Sequence, residues 1–136
     1  MAAIPTSDVV AVAEFRATLR QFLRRTERIA RQSGLTPQRY LLLLMVKGAR
    51  DGSERSTVTE LAERLQLAQS TVTELVSRAE ETGLLRREQS ATDARVAYLR
   101  LTDEGELRLM QAFTGLAAER SNLRDTFAHL DAEQPS

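Results

Sequence analysis

Apolar residues recur at helical spacing along most of this chain of 136 residues and change to strand spacing in one short region. From Asp8 to Gln32 they step by three and four in a heptad-like seam, which predicts a long first helix. Ser33-Gly34 favours its end, and Thr36-Pro37 has the residues preferred at the start of the next helix. The apolar run from Tyr40 to Val46 predicts that this second helix lies in the core.

We expect the segment from Ala49 to Ser56 to be a turn. A helix-turn-helix pattern follows it. Thr57 and Glu60 have the spacing of a capping box at the start of a short helix. After a three-residue turn, one face of a second helix is apolar, with Val72, Leu75, Val76 and Ala79. The opposite face is short and polar, and it consists of Ser70, Thr73, Glu74, Ser77 and Glu81, flanked by Gln69, Thr71 and Arg78.

The period then changes to that of β-strands. Leu85 to Glu88 and Val96 to Leu101 predict a hairpin whose polar tip carries Arg95, and Gly83 suits the left-handed residue that ends the preceding helix. From Thr102 as N-cap, one long helix is expected to run towards Leu130. The predicted fold is mainly α with a small β-hairpin wing: a winged helix-turn-helix part at residues 35–102, flanked by long helices at residues 1–34 and 103–136, in a single domain covering residues 1–136.

Composition excludes several classes of site. The chain has no cysteine and one histidine, so we expect neither a disulfide nor a histidine-rich metal site. It contains no glycine-rich phosphate loop and no nucleophile motif, so we expect no enzyme and no cofactor. The longest apolar run has seven residues, and the start of the chain lacks the basic residues of a signal peptide. We therefore expect a cytoplasmic protein with no membrane association.

The formal net charge of zero argues against a nucleic-acid binder, but the charge is unevenly distributed. Residues 86–100 carry four basic and two acidic side chains, whereas residues 103–133 carry three and seven. A basic wing is therefore compatible with overall neutrality. The first helix also carries an arginine stripe that either solvates the helix, pairs with the acidic C-terminal segment or touches DNA; it consists of Arg16, Arg20, Arg24, Arg28 and Arg31.

Several motifs resemble those of the MarR (multiple antibiotic resistance regulator) family of bacterial winged-helix repressors. They are LTPQRYLLLL from Leu35, STVT from Ser70, GLLRR from Gly83, the D-x-R of Asp93 and Arg95, and LTDEG from Leu101. The resemblance covers nearly the whole chain and implies a homodimeric repressor of a pseudo-palindromic double-stranded DNA operator. It implies that the major groove is faced by Gln69, Ser70, Thr71, Thr73, Glu74 and Ser77. It further implies that Arg95 enters the minor groove and that Asp93 orients it, while Arg86, Arg87 and Arg100 supply attraction to phosphates, and Arg78 flanks the reading face.

The two heptad-like helices at the ends of the chain can pack within one chain or across a two-fold axis, and we expect a homodimer. The expected dimer contacts are Val12, Phe15, Leu19, Leu116, Leu123, Phe127 and Leu130. By the same resemblance, a small aromatic or anionic effector is expected between the dimer helices and the DNA-binding part. Its candidate pocket residues are Phe15, Tyr40, Met45 and Phe113, although residues of these types at helical spacing more often belong to plain core packing.

Three features depart from the family pattern. Ala68 stands where a serine N-cap is usual, and Glu74 stands at a position that is often basic. An acid at residue 74 repels phosphate but can accept a hydrogen bond from a cytosine amino group. Only 31 residues follow Gly105, which is short for the last helix pair. Glu74, Glu81 and the net charge of zero keep open an alternative of another class, a winged-helix protein-interaction module that does not bind DNA.

Overall fold

Six α-helices and three short β-strands make up the part of the chain that the structure describes. The computed structural model describes residues 3–132, and side chains for residues 3–130. The elements are α1 (Thr6–Gln32), α2 (Pro37–Lys47), β1 (Arg55–Ser56), α3 (Val58–Leu65), α4 (Gln69–Glu81), β2 (Leu85–Gln89), β3 (Ala97–Leu101), α5 (Asp103–Gly115) and α6 (Ala117–Ala132). The predicted fold class, mainly α with a small β wing, is confirmed. In the described range no helix is both long and apolar enough to cross a membrane.

Helix α2 lies at the centre of the core, as its apolar run predicts. The Thr36 hydroxyl caps it by accepting a hydrogen bond from the Arg39 N–H at 3.1 Å. Leu42, Leu43 and Val46 of this helix are fully buried. Around α2 the core is completed by side chains from the other elements, among them Ile29, Leu61, Val72, Val76, Leu99, Leu109 and Leu116. Burying this much apolar surface is what holds the surrounding helices and the sheet together.

The sheet has three strands in the order β1-β3-β2, all antiparallel. In β3 the side chains of Leu99 and Leu101 face the core, as the predicted alternation requires. The sequence-based interpretation of residues 49–56 as a turn is wrong at its end, because Arg55 and Ser56 pair with β3 as an edge strand. Two residues are too few to show an alternating pattern, and Ser56 is buried by the strand that it pairs with rather than by its own hydrophobicity.

The predicted single helix after Thr102 is divided into α5 and α6 at Leu116. Gly115 packs so closely on α1 that an added Cβ would lie 3.1 Å from Ile29 Cγ2. The Arg120 guanidinium donates to the Phe113 carbonyl, which the break leaves accessible, and lies over the Phe113 ring at 3.7 Å. The heptad spacing continues through the break, so the periodicity alone could not reveal it.

Helices α1 and α6 pack against each other within the chain. Arg25 Nε lies 3.2 Å from Glu119 Oε1, and the rings of Phe15 and Phe127 meet edge to face with centroids 5.9 Å apart. The side chains proposed for dimerisation differ in their exposure. Leu116 is fully buried in the chain's own core, so it is not available to a partner, whereas Val12 is 53% exposed and Phe127 62% exposed. Phe15, Leu19, Leu123 and Leu130 are partly buried.

One junction connects the end of α4, the start of the wing and the start of α5. The Thr102 hydroxyl donates to the Gly83 carbonyl at 2.5 Å and accepts from the Gly105 N–H at 3.1 Å. The Thr102 N–H donates to the Leu84 carbonyl at 3.1 Å. A Cβ on Gly105 would lie 2.2 Å from the Leu84 oxygen, so only glycine allows this approach. Gly83 has φ +76°, a left-handed conformation that glycine adopts without strain.

We expect Gly105→Ala to destabilise the fold by about 1–3 kcal/mol, because α5 must move away from the Leu84 carbonyl to make room for the methyl group. Chemical denaturation followed by circular dichroism measures the change. Gln111→Ala, an exposed substitution on the same helix, is the control and should stay within about 0.5 kcal/mol of the parent. Equal stability of the two variants would show that the junction tolerates a side chain.

Candidate nucleic-acid interface

The outer face of α4 is a free polar surface. Val72, Val76 and Ala79 are buried against the core, and the opposite side of the helix is open to solvent. Of the residues proposed to face DNA, Gln69, Ser70, Thr71, Thr73, Glu74 and Arg78 are exposed, and Ser77 is partly exposed. No side chain caps this helix, in agreement with Ala68 at the N-cap, so its first N–H groups remain available to an acceptor from outside the helix.

Helix α3 holds the start of α4 in place. The capping box at Thr57 and Glu60 forms as predicted, with hydrogen bonds of 2.9 and 3.2 Å. The chain turns through Gln66, which has φ +56°, and Gln69 Nε2 donates to Thr59 Oγ1 at 3.3 Å. Gln69 therefore has a contact within the chain as well as a position on the proposed reading face.

The tip of the wing carries its arginine outward. Asp93 Oδ1 accepts from the Arg95 N–H at 3.0 Å and from Arg95 Nε at 3.3 Å. The Arg95 side chain is nonetheless 90% exposed. Gln89 steadies the loop by donating to the carbonyls of Ala94 and Val96. Asp93 and Arg95, which the sequence separates by one residue, are thus brought together with the cation pointing into solvent.

Arg86 and Arg87 lie on opposite faces of the wing because adjacent residues of a strand alternate. Arg87 Nε lies 3.1 Å from Glu80 Oε1, so this arginine is on the side of α4. It also lines a cleft of about 450 Å³ with Arg95 and the start of α3. Arg86 lies on the other face of the sheet, away from α4. The sequence interpretation grouped the two arginines, and the structure separates them.

The outer face of the sheet is organised around one carboxylate. Glu88 Oε2 accepts from Arg100 Nε at 2.7 Å, and Glu88 Oε1 accepts from Arg55 Nη1 at 3.1 Å. Arg86 Nη1 is 3.8 Å from Glu88, and the Arg55 guanidinium lies 4.1 Å above the Tyr98 ring. The hydrogen bond from Arg100, followed by that from Arg55, lowers the pKa of Glu88 below its ordinary value. Arg86 and Arg100 therefore hold the sheet together, a role that sequence reasoning missed along with Arg55 and Glu88.

Of the four residues proposed for an effector pocket, Tyr40 and Phe113 both lie near Arg120, whereas Phe15 and Met45 have other contacts. Tyr40 is buried in the core, and its burial raises the pKa of the phenol, an effect opposed by Arg120. The Phe113 ring is covered by Arg120, close to where Gly115 meets Ile29. Phe15 lies 14 residues before Ile29, which is about 21 Å along α1. Met45 is partly buried, and its carbonyl accepts from Arg64 Nη1 at 3.2 Å.

The chain is similar in sequence to known proteins. Residues 33–96 match the model of the MarR family. The transcriptional repressor MdtR of Bacillus subtilis (strain 168) is 34% identical to the chain over 87 residues, which are 64% of this chain and 54% of MdtR. The matched stretch is 64 of the 136 residues, so the chain is similar to the MarR family over nearly half of its length. The resemblance noted in its motifs is thereby confirmed.

Solved structures extend the likeness to the flanking helices. The YusO protein from Bacillus subtilis is 25% identical, with a TM-score of 0.65 and coverage of 94% of this chain and 92% of YusO. A mutant of MarR from E. coli, solved in complex with operator DNA, is 18% identical with a TM-score of 0.68, covering 86% and 85% of the two chains, and so shares the fold. The chain spans little more than half the length of the curated relatives that it matches.

The span matched by the MarR family model contains the candidate interface. It begins at Ser33, where α1 ends, and stops at Val96, one residue after the wing-tip arginine. It therefore includes α2, α3, α4 and the first two strands, and it leaves out α1, α5 and α6. Both curated relatives are named as transcriptional repressors.

The arginines of α1 lie outside the span that the family model matches. The α1 arginine stripe, Arg16, Arg20, Arg24, Arg28 and Arg31, is exposed along its length. Among the described side chains, the ion pair between α1 and the acidic C-terminal segment uses another arginine, Arg25, with Glu119. The same described part of the chain contains no group of three or more histidine, cysteine, aspartate or glutamate side chains that could hold a metal.

We expect Glu88→Gln to lower the melting temperature at neutral pH, because the charged carboxylate accepts from two arginines. Since the pKa of Glu88 is lowered in the folded protein, its contribution is present above the ordinary value of 4.5 and is lost as the pH falls through the lowered pKa. Melting curves from neutral to acidic pH should therefore show the parent and the variant converging. Glu63→Gln, an exposed control, should differ little from the parent at any pH. A constant gap between the parent and Glu88→Gln would exclude the charged network as its cause.

Proposed function

We propose that the chain is a sequence-specific double-stranded DNA-binding transcriptional regulator, which acts as a homodimer and represses a pseudo-palindromic operator. The observation that carries the proposal is the pairing of the solvent-exposed polar face of α4 with a wing tip whose arginine is 90% exposed. The name of MdtR as a transcriptional repressor, and the solved complex of E. coli MarR with operator DNA, give it independent support.

The exposed face of α4 suits the major groove of B-form DNA, which is wide enough to admit a helix. Its central side chains Ser70, Thr73 and Ser77 are short and carry hydroxyl groups that donate and accept hydrogen bonds. They let the helix approach base edges closely, while the uncapped N–H groups at its start can bind a phosphate. In this arrangement α4 supplies the sequence-dependent contacts.

Arg95 is placed to supply the contact outside the major groove. A basic side chain on a hairpin tip can enter the adjacent minor groove or reach its phosphates. Arg78 and Arg87, the neighbouring cations, are already paired with Glu74 and Glu80 at 2.7 and 3.1 Å. Arg95 is also paired, with Asp93 at 3.3 Å, but at 90% exposure it is the most accessible of these three cations to a phosphate.

Exposed apolar side chains support the homodimer. On α1, Val9 and Val12 are each more than half exposed, and so is Phe127 on α6. On α5, Leu107 is 54% exposed and Met110 47% exposed. A two-fold contact would remove this apolar surface from water and would present two copies of α4 to successive major grooves about 34 Å apart. Release by a small effector is not part of the proposal.

The second candidate function is a protein-interaction module without DNA binding, and the observation that favours it is the exposure of Glu74 and Glu81 on the α4 face. A titration at low salt separates the two functions. A labelled duplex of random sequence should bind weakly, as followed by fluorescence anisotropy, and the affinity should fall as salt rises, because bound cations displace counterions from DNA. Absence of binding at low salt would reject the proposal in favour of the interaction module.

Within the same assay we expect Arg95→Ala to weaken binding about tenfold or more and to reduce the salt slope by roughly one for each copy of the chain, because one phosphate contact is lost. The melting temperature should be unchanged, since the side chain is 90% exposed. Arg16→Ala, which removes an exposed arginine from the far side of α1, is the matched control. Equal effects of the two substitutions would remove the wing from the proposed mechanism.

For the dimer, we expect the parent to sediment at twice the mass of one chain and Val12→Asp to sediment as a monomer, because a charge would then be buried in an apolar contact. The variant should remain folded, since Val12 is 53% exposed within one chain. Ala17→Asp adds the same charge at an exposed α1 position on another side of the helix and should leave the dimer intact. A parent that sediments as a monomer at micromolar concentration would contradict the two-fold arrangement.

A further inference from the structure

An acidic side chain stands at the middle of the α4 reading face. At about 100° per residue, Ser70 and Glu74 lie within about 30° of the direction opposite the buried side of the helix, and Ser77 lies about 50° from it. The two serines are short, so the glutamate reaches further from the helix than its neighbours. Its side chain is 65% exposed and is not needed for packing. The Glu74 carboxylate is therefore exposed to any molecule that approaches this face of α4.

The charge of Glu74 is partly balanced by a neighbour one turn along the helix. Arg78 Nη2 donates to Glu74 Oε1 at 2.7 Å, and the Arg78 side chain is 61% exposed. Exposed ion pairs of this kind add little to folding stability, so the fold gives no strong reason for the pair. The bond engages one carboxylate oxygen and one guanidinium nitrogen, which leaves Glu74 Oε2 and the remaining N–H groups of Arg78 directed at solvent.

A carboxylate that enters the major groove is repelled by the phosphates, so it needs a hydrogen-bond donor on a base edge to offset the repulsion. Guanine and thymine present acceptors there, and the amino group of adenine stands beside the acceptor N7. Cytosine presents its N4 amino donor without a neighbouring acceptor on the same base. The guanine paired with it offers O6 and N7, which are the groups that an arginine recognises best.

We propose that Glu74 and Arg78 act together as a reader of one C·G base pair in each operator half-site. The Glu74 carboxylate accepts from the cytosine N4 amino group, and the Arg78 guanidinium donates to O6 or N7 of the paired guanine. The bond between the two side chains holds them side by side, so that acceptor and donor match the edge of this base pair. The inference rests on the proposed DNA-binding function and adds to it the identity of a base pair and the two residues that read it.

The test begins with duplexes that the parent protein enriches from a random pool. Anisotropy titrations then compare the enriched duplex with versions in which each C·G pair is replaced singly by T·A. We expect one such replacement in each half-site to weaken binding by the parent about tenfold or more. For Glu74→Ala the same replacement should cost clearly less than it costs the parent, because the carboxylate that senses cytosine is gone and only Arg78 still reads the paired guanine. Glu74→Gln should instead favour adenine at that position, since an amide can pair with adenine N6 and N7.

Glu81→Ala is the matched control, because it removes the same charge from the same face nearer the end of the helix. Both alanine variants should bind random duplex more tightly than the parent, since each loses one repulsion from phosphates. Only the substitution at Glu74 should change the base preference. Melting curves for all variants confirm that they are folded.

Two results would overturn the inference while leaving the proposed function intact. One is that the parent selects an operator and binds it in a salt-dependent manner, yet replacing any of its C·G pairs leaves the affinity unchanged. The other is a Glu74→Ala variant that discriminates at every C·G pair as strongly as the parent does. A parent that binds no duplex at low salt would remove the proposed function and this inference together.

Discussion

The close contact between the start of α5 and the turn after α4 is the constraint on which the rest of the structure depends. The Thr102 hydroxyl bonds to Gly83 on one side and caps α5 on the other, and Gly105 brings the helix backbone against the Leu84 carbonyl. Four elements meet there: the end of α4, the two long wing strands and the start of α5. A single glycine permits this contact between backbones. The orientation of α4 relative to α5 is therefore set by the backbone and not by adjustable side chains.

The charges of the wing and of α4 are arranged mostly in pairs. On α4 and its neighbouring strand, Arg78 is balanced by Glu74 and Arg87 by Glu80, and on the outer sheet face Glu88 serves more than one arginine. A chain with no net charge can therefore present a surface to DNA that is close to neutral, with one strongly exposed cation at the hairpin tip. On the proposed function, such a surface gains little from nonspecific attraction, so its binding must depend on matched hydrogen bonds to bases.

Elements with a local signal could be predicted from the sequence, and those created by tertiary contacts could not. The caps at Thr36, Thr57 and Thr102, the core run of α2 and the two long strands were all predicted and are confirmed. The edge strand at Arg55 carries no local signal, since it is made by its partner strand. The break at Leu116 follows Gly115, a weak local signal that the continuing heptad spacing outweighed. In the candidate site, the polar face of α4 was predicted from helical spacing. The separation of the two wing arginines follows from strand alternation, whereas the effector candidates lie on three helices and were expected only from the family resemblance.

The ion pair between Arg87 and Glu80 has a mechanical consequence. It joins the hairpin to α4 at 3.1 Å, at a point away from the Gly105 contact, so the wing is attached to the helix at two separate places. Two attachments prevent the hairpin from swinging independently, and the arginine at its tip keeps a constant offset from the α4 face. Any signal that controls whether both parts engage a duplex must then reposition this unit as a rigid body, through the long helices that carry it.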